Sequence, residues 1–248
     1  MKINVYTLCY NEEVLIPYFF RHYGSIADRI VVYDNGSTDK SRDLVQLLGG
    51  ELRDLDTGGE HSDRAQTKLK STCYYESRGK ADWVIVVDMD EFLYHPDFSG
   101  LLKSYMASGI TMPKVLGFDM FSSAVPSGPG QIYEEIFHGW RYWMYNKFEV
   151  FHPSIDINFS PGCHKAYPQG PVKMSDDAEI KLLHYRYLGA EYFKKRYVMR
   201  MNRISEDNVK NGWGIIEPKG GLSMGDWLVK VYHDDLKIHE KIVQKVVP

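Results

Sequence analysis

Three features of the sequence predict an α/β fold with a mostly parallel central sheet flanked by helices. Short apolar runs rich in Val and Ile alternate with segments of helical periodicity through residue 95, and such runs read as buried strands. The stretches between them are long enough for crossover helices, which make right-handed parallel sheets. Polar clusters of Asn, Asp and Glu close three of the strands, at Cys9-Tyr10-Asn11-Glu12-Glu13, Asp34–Asp39 and Asp88–Glu91.

Taken in order, the first strand covers Ile3 to Leu8. A helix follows from about Glu13 to Tyr23, with Val14, Leu15, Tyr18 and Phe19 as its apolar face. Pro17 is tolerated only near a first turn, which delays the helix start. Arg29 to Tyr33 is the second strand. A turn and a Ser/Thr cap then lead into a helix with Leu44, Val45, Leu47 and Leu48 on one face. A weaker third strand near Leu52–Leu55 precedes the Gly58-Gly59 break. Asp63 with Gln66 resembles a capping box for a helix running to about Ser77. The fourth strand lies in DWVIVVDMDEF (82–92), where five apolar residues run into three carboxylates within four positions.

The second half differs. It has longer loops, an aromatic run from Tyr133 to Phe151 and Gly/Pro-rich stretches at 125–130 and 218–225. With no linker between the halves, the chain reads as one domain, 1–248, comprising residues 1–109 and a loop- and aromatic-rich half, 110–248. A net charge of −3 over 248 residues carries no electrostatic footprint for nucleic acid. Three cysteines, Cys9, Cys73 and Cys163, are an odd number without metal-type spacing and point to a reduced compartment. No signal-peptide pattern precedes the first strand and no run approaches the roughly 18 apolar residues of a spanning helix. A cytoplasmic location is expected. The cations Lys194, Lys195, Arg196, Arg200 and Arg203 form either a solvated helix face or a peripheral contact with an anionic membrane.

Parallel strands present ligands at their carboxyl ends, near the point where strand order reverses. Three acidic clusters at that edge make a site. A dinucleotide fold needs G-x-G-x-x-G after the first strand, where this chain has YNEEV. A Walker-type loop is absent as well. If phosphate binds here, a hard divalent cation, Mn²⁺ or Mg²⁺, must neutralise the acids and bridge to it. Asp88 and Asp90, two apart on an extended segment, project to one side and suit that task.

As a set, NEE after strand one, DNGSTD after strand two and DMDEF after strand four resemble the family 2 glycosyltransferases of the GT-A fold, in the branch with a D-x-D-E-F metal motif. The resemblance covers residues 3 to about 100 and returns at His184-Tyr185-Arg186. It implies a nucleotide-sugar-binding half at 1–109 and an acceptor-side half at 110–248. The implied reaction is metal-dependent transfer of a sugar from a nucleotide-diphosphate sugar to an acceptor hydroxyl, with inversion, in glycan or polysaccharide biosynthesis. The acceptor would be a glycan or glycolipid. Asp90 would ligate the cation, Asp88 would assist through the cation or the donor ribose, and His184 would be the third ligand. Asp34, Asn11 and Glu12 would meet the nucleoside.

Each role has a plainer counterpart. Asp34 serves equally as a turn former before Asn-Gly, and Asn11 as a helix cap. Arg64 and Lys68, one helical turn apart, face either phosphate or solvent. Trp140 offers a stacking platform for a carbohydrate or a core aromatic. His164 is a rival third ligand or an acceptor-pocket residue. An inverting transfer needs one general base. Asp177 and Asp176, on the loop before His184, come ahead of Asp119 for that role. Glu91 lies on the acceptor side but close to the cation, whose field weakens it as a base. The Gly-rich segment 211–225 is a candidate lid. Two other functions compete: a sugar-nucleotide nucleotidyltransferase, disfavoured by YNEEV, and a non-catalytic nucleotide- or carbohydrate-binding module, disfavoured by the intact DMD.

Overall fold

The structure, a computed structural model, describes residues 1–248. The chain opens with β1 (Ile3–Cys9), α1 (Ile16–Tyr23), β2 (Arg29–Asp34), α2 (Ser41–Leu47), β3 (Glu51–Asp54) and α3 (Asp63–Lys70). A 3-10 turn at Cys73–Ser77 leads to β4 (Trp83–Asp88), which passes through Met89-Asp90 directly into β5 (Glu91–Tyr94). Then come α4 (Phe98–Ala107), β6 (Val115–Ser122), α5 (Ile132–Glu135), β7 (His138–Arg141), β8 (Val150–Phe151) and β9 (Ile180–Leu188). Helices α6 (Ala190–Met201), α7 (Glu206–Asn211) and α8 (Met224–His239) precede the short β10 (Gln244–Lys245). No helix is long and apolar enough to cross a membrane.

The α/β fold class expected from the sequence is present, with two sheets of five strands. The first has the order β3-β2-β1-β4-β8, parallel except for the β8 edge. From β1 the chain winds outward through β2 and β3, then returns to place β4 on the other side of β1. The switch point therefore lies between the carboxyl ends of β1 and β4, which are in register at Leu8 and Asp88. The second sheet, β10-β7-β6-β9-β5, is mostly antiparallel, with a parallel β6–β9 pair at its centre. Glu91 opens β5 opposite His184 of β9, and His184 faces Asp119 of β6 on its other side.

Burial explains the apolar runs. Val5, Val32, Ile85 and Val87 enter a core cluster of 36 residues that also takes in Leu182, Leu183 and Tyr185 of the second sheet. Their alternates Tyr6, Val31, Val84 and Val86 enter a separate cluster of 12 on the opposite face. Strands covered on both faces lose the hydrophobic–polar alternation. A third cluster, with Trp140, Tyr187, Phe193, Leu228 and Tyr232, fastens α6 and α8 to the second sheet.

Two helix starts differ from expectation. α1 begins at Ile16 rather than Glu13, because Pro17 occupies the first turn, where its missing N–H is harmless. The cap of α3 is Ser62, whose Oγ accepts from Ala65 N at 3.3 Å. Asp63 is the first helical residue instead of half of a capping box. That helix ends at Lys70, seven residues short of Ser77.

Candidate active site at the seam of two sheets

The DMDE segment crosses from one sheet to the other, so its carboxylates stand where both sheets meet. Beside it opens a cavity of about 620 Å³. Its floor comes from the ends of β1 and β4 and its walls from α3, the 145–147 and 161–164 loops, and α6. Residues 212–216, from the stretch expected to act as a lid, also line it.

Of the expected residues, Glu12, Asp88, Asp90, Glu91, His164 and His184 line this cavity. Asp90 Oδ2 lies 2.6 Å from Arg196 Nη1 and 3.4 Å from His184 Nε2. Burial resists ionisation of Asp90, but Arg196 and then His184 outweigh it and hold the carboxyl well below its usual range. Burial also works against the His184 imidazolium, yet Asp90 and Asp119 lift its pKa to about 9. His184 Nδ1 sits 2.8 Å from Asp119 Oδ1, an orienting carboxylate behind an imidazole whose other nitrogen faces the cavity.

Arg196 reaches further. Its Nη2 is 2.6 Å from Glu12 Oε1, while Glu12 Oε2 is buried without a partner. Burial pushes the Glu12 carboxyl up to about 7 against the pull of Arg196. Asp88 is paired with Lys70 at 2.6 Å. Glu91 is paired with Lys147 and accepts from Asp88 N at 2.8 Å through its second oxygen. Burial opposes ionisation of Glu91, but Lys147 holds its pKa down to about 2.

Other expectations need correction. Asp176 and Asp177 precede the amino end of β9, whose midpoint is His184, and neither lines the cavity; there Lys114 Nζ donates to Asp176 O at 2.8 Å. A loop position did not bring them to the cavity, because the strand intervenes. Asp119 is 1% exposed and is taken up by His184, so it backs the imidazole and does not face a ligand. Trp140 is also 1% exposed; it stacks on His239 and packs against Tyr187, away from the cavity. Arg64 points outward to Asp207 at 2.7 Å, and Lys68 is exposed. The helix face that lines the cavity carries Asp63, Gln66, Thr67 and Lys70 instead.

Asn11 and Asp34 shape loops. Asn11 adopts a left-handed backbone (φ 54°), which Asn tolerates better than most residues. Its Oδ1 accepts from Thr38 N at 2.7 Å and Asp39 N at 3.2 Å. Asp34 Oδ2 accepts from Gly36 N, Ser37 N and Arg42 Nη1, at 3.1, 3.0 and 2.7 Å, while Oδ1 is buried without a partner. Between these loops, Arg203 lies over the Tyr10 ring at 3.2 Å and donates to Asn35 Oδ1 at 2.7 Å.

The cavity residues that the sequence reading did not place at the site are cations: Lys70 and Lys147, which it did not single out, and Arg196 and Arg203, which it read as a solvated helix face or a membrane contact. Helical phase held the signal for two of them. Arg196, Arg200 and Arg203 are spaced to share one face and all line the cavity, whereas Lys194 pairs outward with Glu191. The five-cation run is therefore divided between cavity and surface. Lys147 lies in an irregular segment and left no periodic trace.

No protein-family model matches the chain, and no curated protein matches it. Among solved structures, it is similar to glucosyl-3-phosphoglycerate synthase from Mycobacterium tuberculosis in complex with Mn²⁺, UDP and glucosyl-3-phosphoglycerate. That match has 21% identity and a TM-score of 0.34 over 47% of this chain and 44% of that one. A second similarity is to S. aureus TarS 1–349, with 15% identity and a TM-score of 0.43 over 85% of this chain and 68% of that one. The chain thus spans less than half the length of the mycobacterial synthase.

Proposed function

We propose that the protein is a glycosyltransferase of the GT-A type. It transfers a sugar from a nucleotide-diphosphate sugar to an acceptor hydroxyl, with inversion, in glycan or polysaccharide assembly. One observation carries this reading: Asp88, Asp90 and His184 converge with Lys70, Lys147 and Arg196 on a single cavity at the sheet's switch point. Acids suited to a cation and basic side chains suited to phosphates meet in one cavity of about 620 Å³.

The donor set fits a divalent cation. Two ligands each roughly 2.1 Å from one cation lie about 3 Å apart, close to the 3.4 Å between His184 Nε2 and Asp90 Oδ2. The imidazole is oriented by a carboxylate, as metal-bound histidines commonly are, and it favours Mn²⁺ over Mg²⁺. As placed, the side chains form no three-ligand cluster: Asp90 is paired with Arg196 and Asp88 with Lys70. Asp90 and His184 would hold the cation, with Asp88 beside it. When bound, it would act as a Lewis acid on the charge that develops on the departing diphosphate.

The chain's own groups supply the rest. Lys70 and Lys147 place positive charge under the diphosphate. Tyr10, Asn35 and Arg203 present an aromatic face and hydrogen-bonding edges to the nucleoside, with Asp34 shaping the loop behind them. Across Tyr145, whose ring is 4.1 Å from His184 and 5.8 Å from His164, lies the acceptor wall. Partial desolvation, with Lys147 nearby, lowers the pKa of His164, so a neutral imidazole faces the cavity. His164 is the group proposed to take the acceptor's proton.

The test is binding and single-turnover transfer with a panel of nucleotide sugars. Asp90→Asn should lose the Mn²⁺-dependent part of donor binding while keeping its melting temperature. His164→Asn should bind donor like the parent but transfer ~10²–10⁴-fold more slowly. Donor affinity unaffected by Mn²⁺ in both parent and Asp90→Asn would falsify the cation assignment. Full transfer by His164→Asn would move the base elsewhere.

A further inference from the structure

Among the Lys and Arg cations of the candidate site, Arg196 is the one paired with Asp90. It enters from α6, on the wall opposite β4, and its planar fork joins two carboxylates from different strand ends: Nη1 to Asp90 Oδ2 and Nη2 to Glu12 Oε1, each at 2.6 Å. Its side chain is 21% exposed, so the pairs are poorly screened. Asp90 Oδ2 is also the oxygen that faces His184 Nε2. A guanidinium and a divalent cation cannot both occupy that oxygen, and two such positive charges a few ångströms apart repel strongly in a partly buried site.

The guanidinium has somewhere to go. Glu12 Oε2 is buried and unpartnered, so Arg196 can give up Asp90 and still form a two-oxygen fork with Glu12. Arg–carboxylate pairs favour that bidentate geometry. From there its remaining N–H groups are available to an anion in the cavity. Resting on the reading of the site as a sugar-nucleotide site, we propose that Arg196 is a displaceable counter-cation that yields Asp90 to a divalent cation and turns to the donor's phosphates, so that cation and diphosphate bind cooperatively. Neither ligand then binds strongly alone, and each raises the other's affinity by the same factor.

The experiment follows Mn²⁺ itself by electron paramagnetic resonance of the free ion, with UDP, GDP, CDP and ADP as the diphosphate probes. Parent, Arg196→Gln and Arg196→Lys are compared, and thermal melts establish that each is folded. Arg196→Gln should bind Mn²⁺ alone about tenfold or more tighter than the parent, and a diphosphate should raise its Mn²⁺ affinity less. Arg196→Lys should fall between, because an ammonium lacks the fork that spans both carboxylates. If the glutamine variant is unfolded, the lysine variant carries the same comparison. The gain should vanish when Asp90→Asn is added.

A parent that binds a diphosphate with Mn²⁺, beside variants that bind Mn²⁺ no tighter, overturns the proposal and leaves the donor reading standing. A gain that survives Asp90→Asn also overturns it, because Arg196 would then act elsewhere. A parent that binds none of the four diphosphates, with or without Mn²⁺, removes the donor reading and the proposal together.

Discussion

His22 lies on α1 with Nε2 3.1 Å from Leu93 O and its ring among Tyr23, Phe92 and Tyr133. Burial, only partly offset by the bond to Leu93, lowers its pKa from 6.5 to about 4. The unfolded chain therefore binds this proton more readily than the folded one. Stability is full above pH ~6.5 and falls as the pH drops toward about 4, by an amount on the order of 3 kcal/mol. Urea titrations at about pH 7 and pH 4.5 should show this loss, and His22→Gln should flatten it. An equal acid slope in both proteins would place the titrating group elsewhere. At this scale the sequence was a mixed guide. DMDE announced charged residues at a strand end, and His184 followed from the resemblance. Whether a given acid faces a cavity or an imidazole is decided by packing, which is why Asp119 was readable as an ionisable residue but not as the support for His184.

Strands β6 and β9 fix the placement of Tyr145 against the site. Gly117 of β6 lies so close to the 142–146 turn that a Cβ there would be 2.3 Å from Tyr145 C and 2.4 Å from its Cβ. Its N–H donates to Asn146 Oδ1 at 2.9 Å and its C=O accepts from Tyr142 N at 3.0 Å. Gly117→Ala must push the turn outward and carry Tyr145 away from His184. A loss of about 1–3 kcal/mol in unfolding free energy is expected, together with weaker Mn²⁺-dependent donor binding. An alanine variant of parent stability and affinity would show that the turn yields freely. The elements of the first half were legible, since β1, β2, β4 and their helices obey simple periodicity. The second half was not. Its sheet is assembled from β5, β6, β7, β9 and β10, strands distant in sequence, and its loops carry site residues without a repeating pattern. Hence Asp176 and Asp177 were expected at the site although β9 holds them at the far end. On α3 the helix was recognised but its phase was not: Lys70 faces the cavity where Arg64 and Lys68 had been expected.

Seen whole, the molecule is a seam between two sheets, roofed by α6 and the segment after it. Main-chain bonds join His61 to Arg203 and Ser205, and Asp63 N donates to Asn208 Oδ1 at 2.9 Å, so the roof is stitched to α3. Beneath it, Glu12, Asp63, Asp88, Asp90 and Glu91 share the cavity with Lys70, Lys147, Arg186, Arg196, Arg200 and Arg203. Opposite charges this close cancel one another's field within a few ångströms, and the chain as a whole carries a net charge of only −3. An anionic ligand approaching from solution meets almost no attraction until it enters. Capture should therefore proceed at the pace of random encounter, with a rate constant that changes little between roughly 20 and 200 mM salt in stopped-flow mixing. A steep fall with salt would mean that the cations act at long range after all. A cavity that is silent at a distance and strongly charged within excludes stray anions by shape and pairing, and holds its field for the molecule already inside.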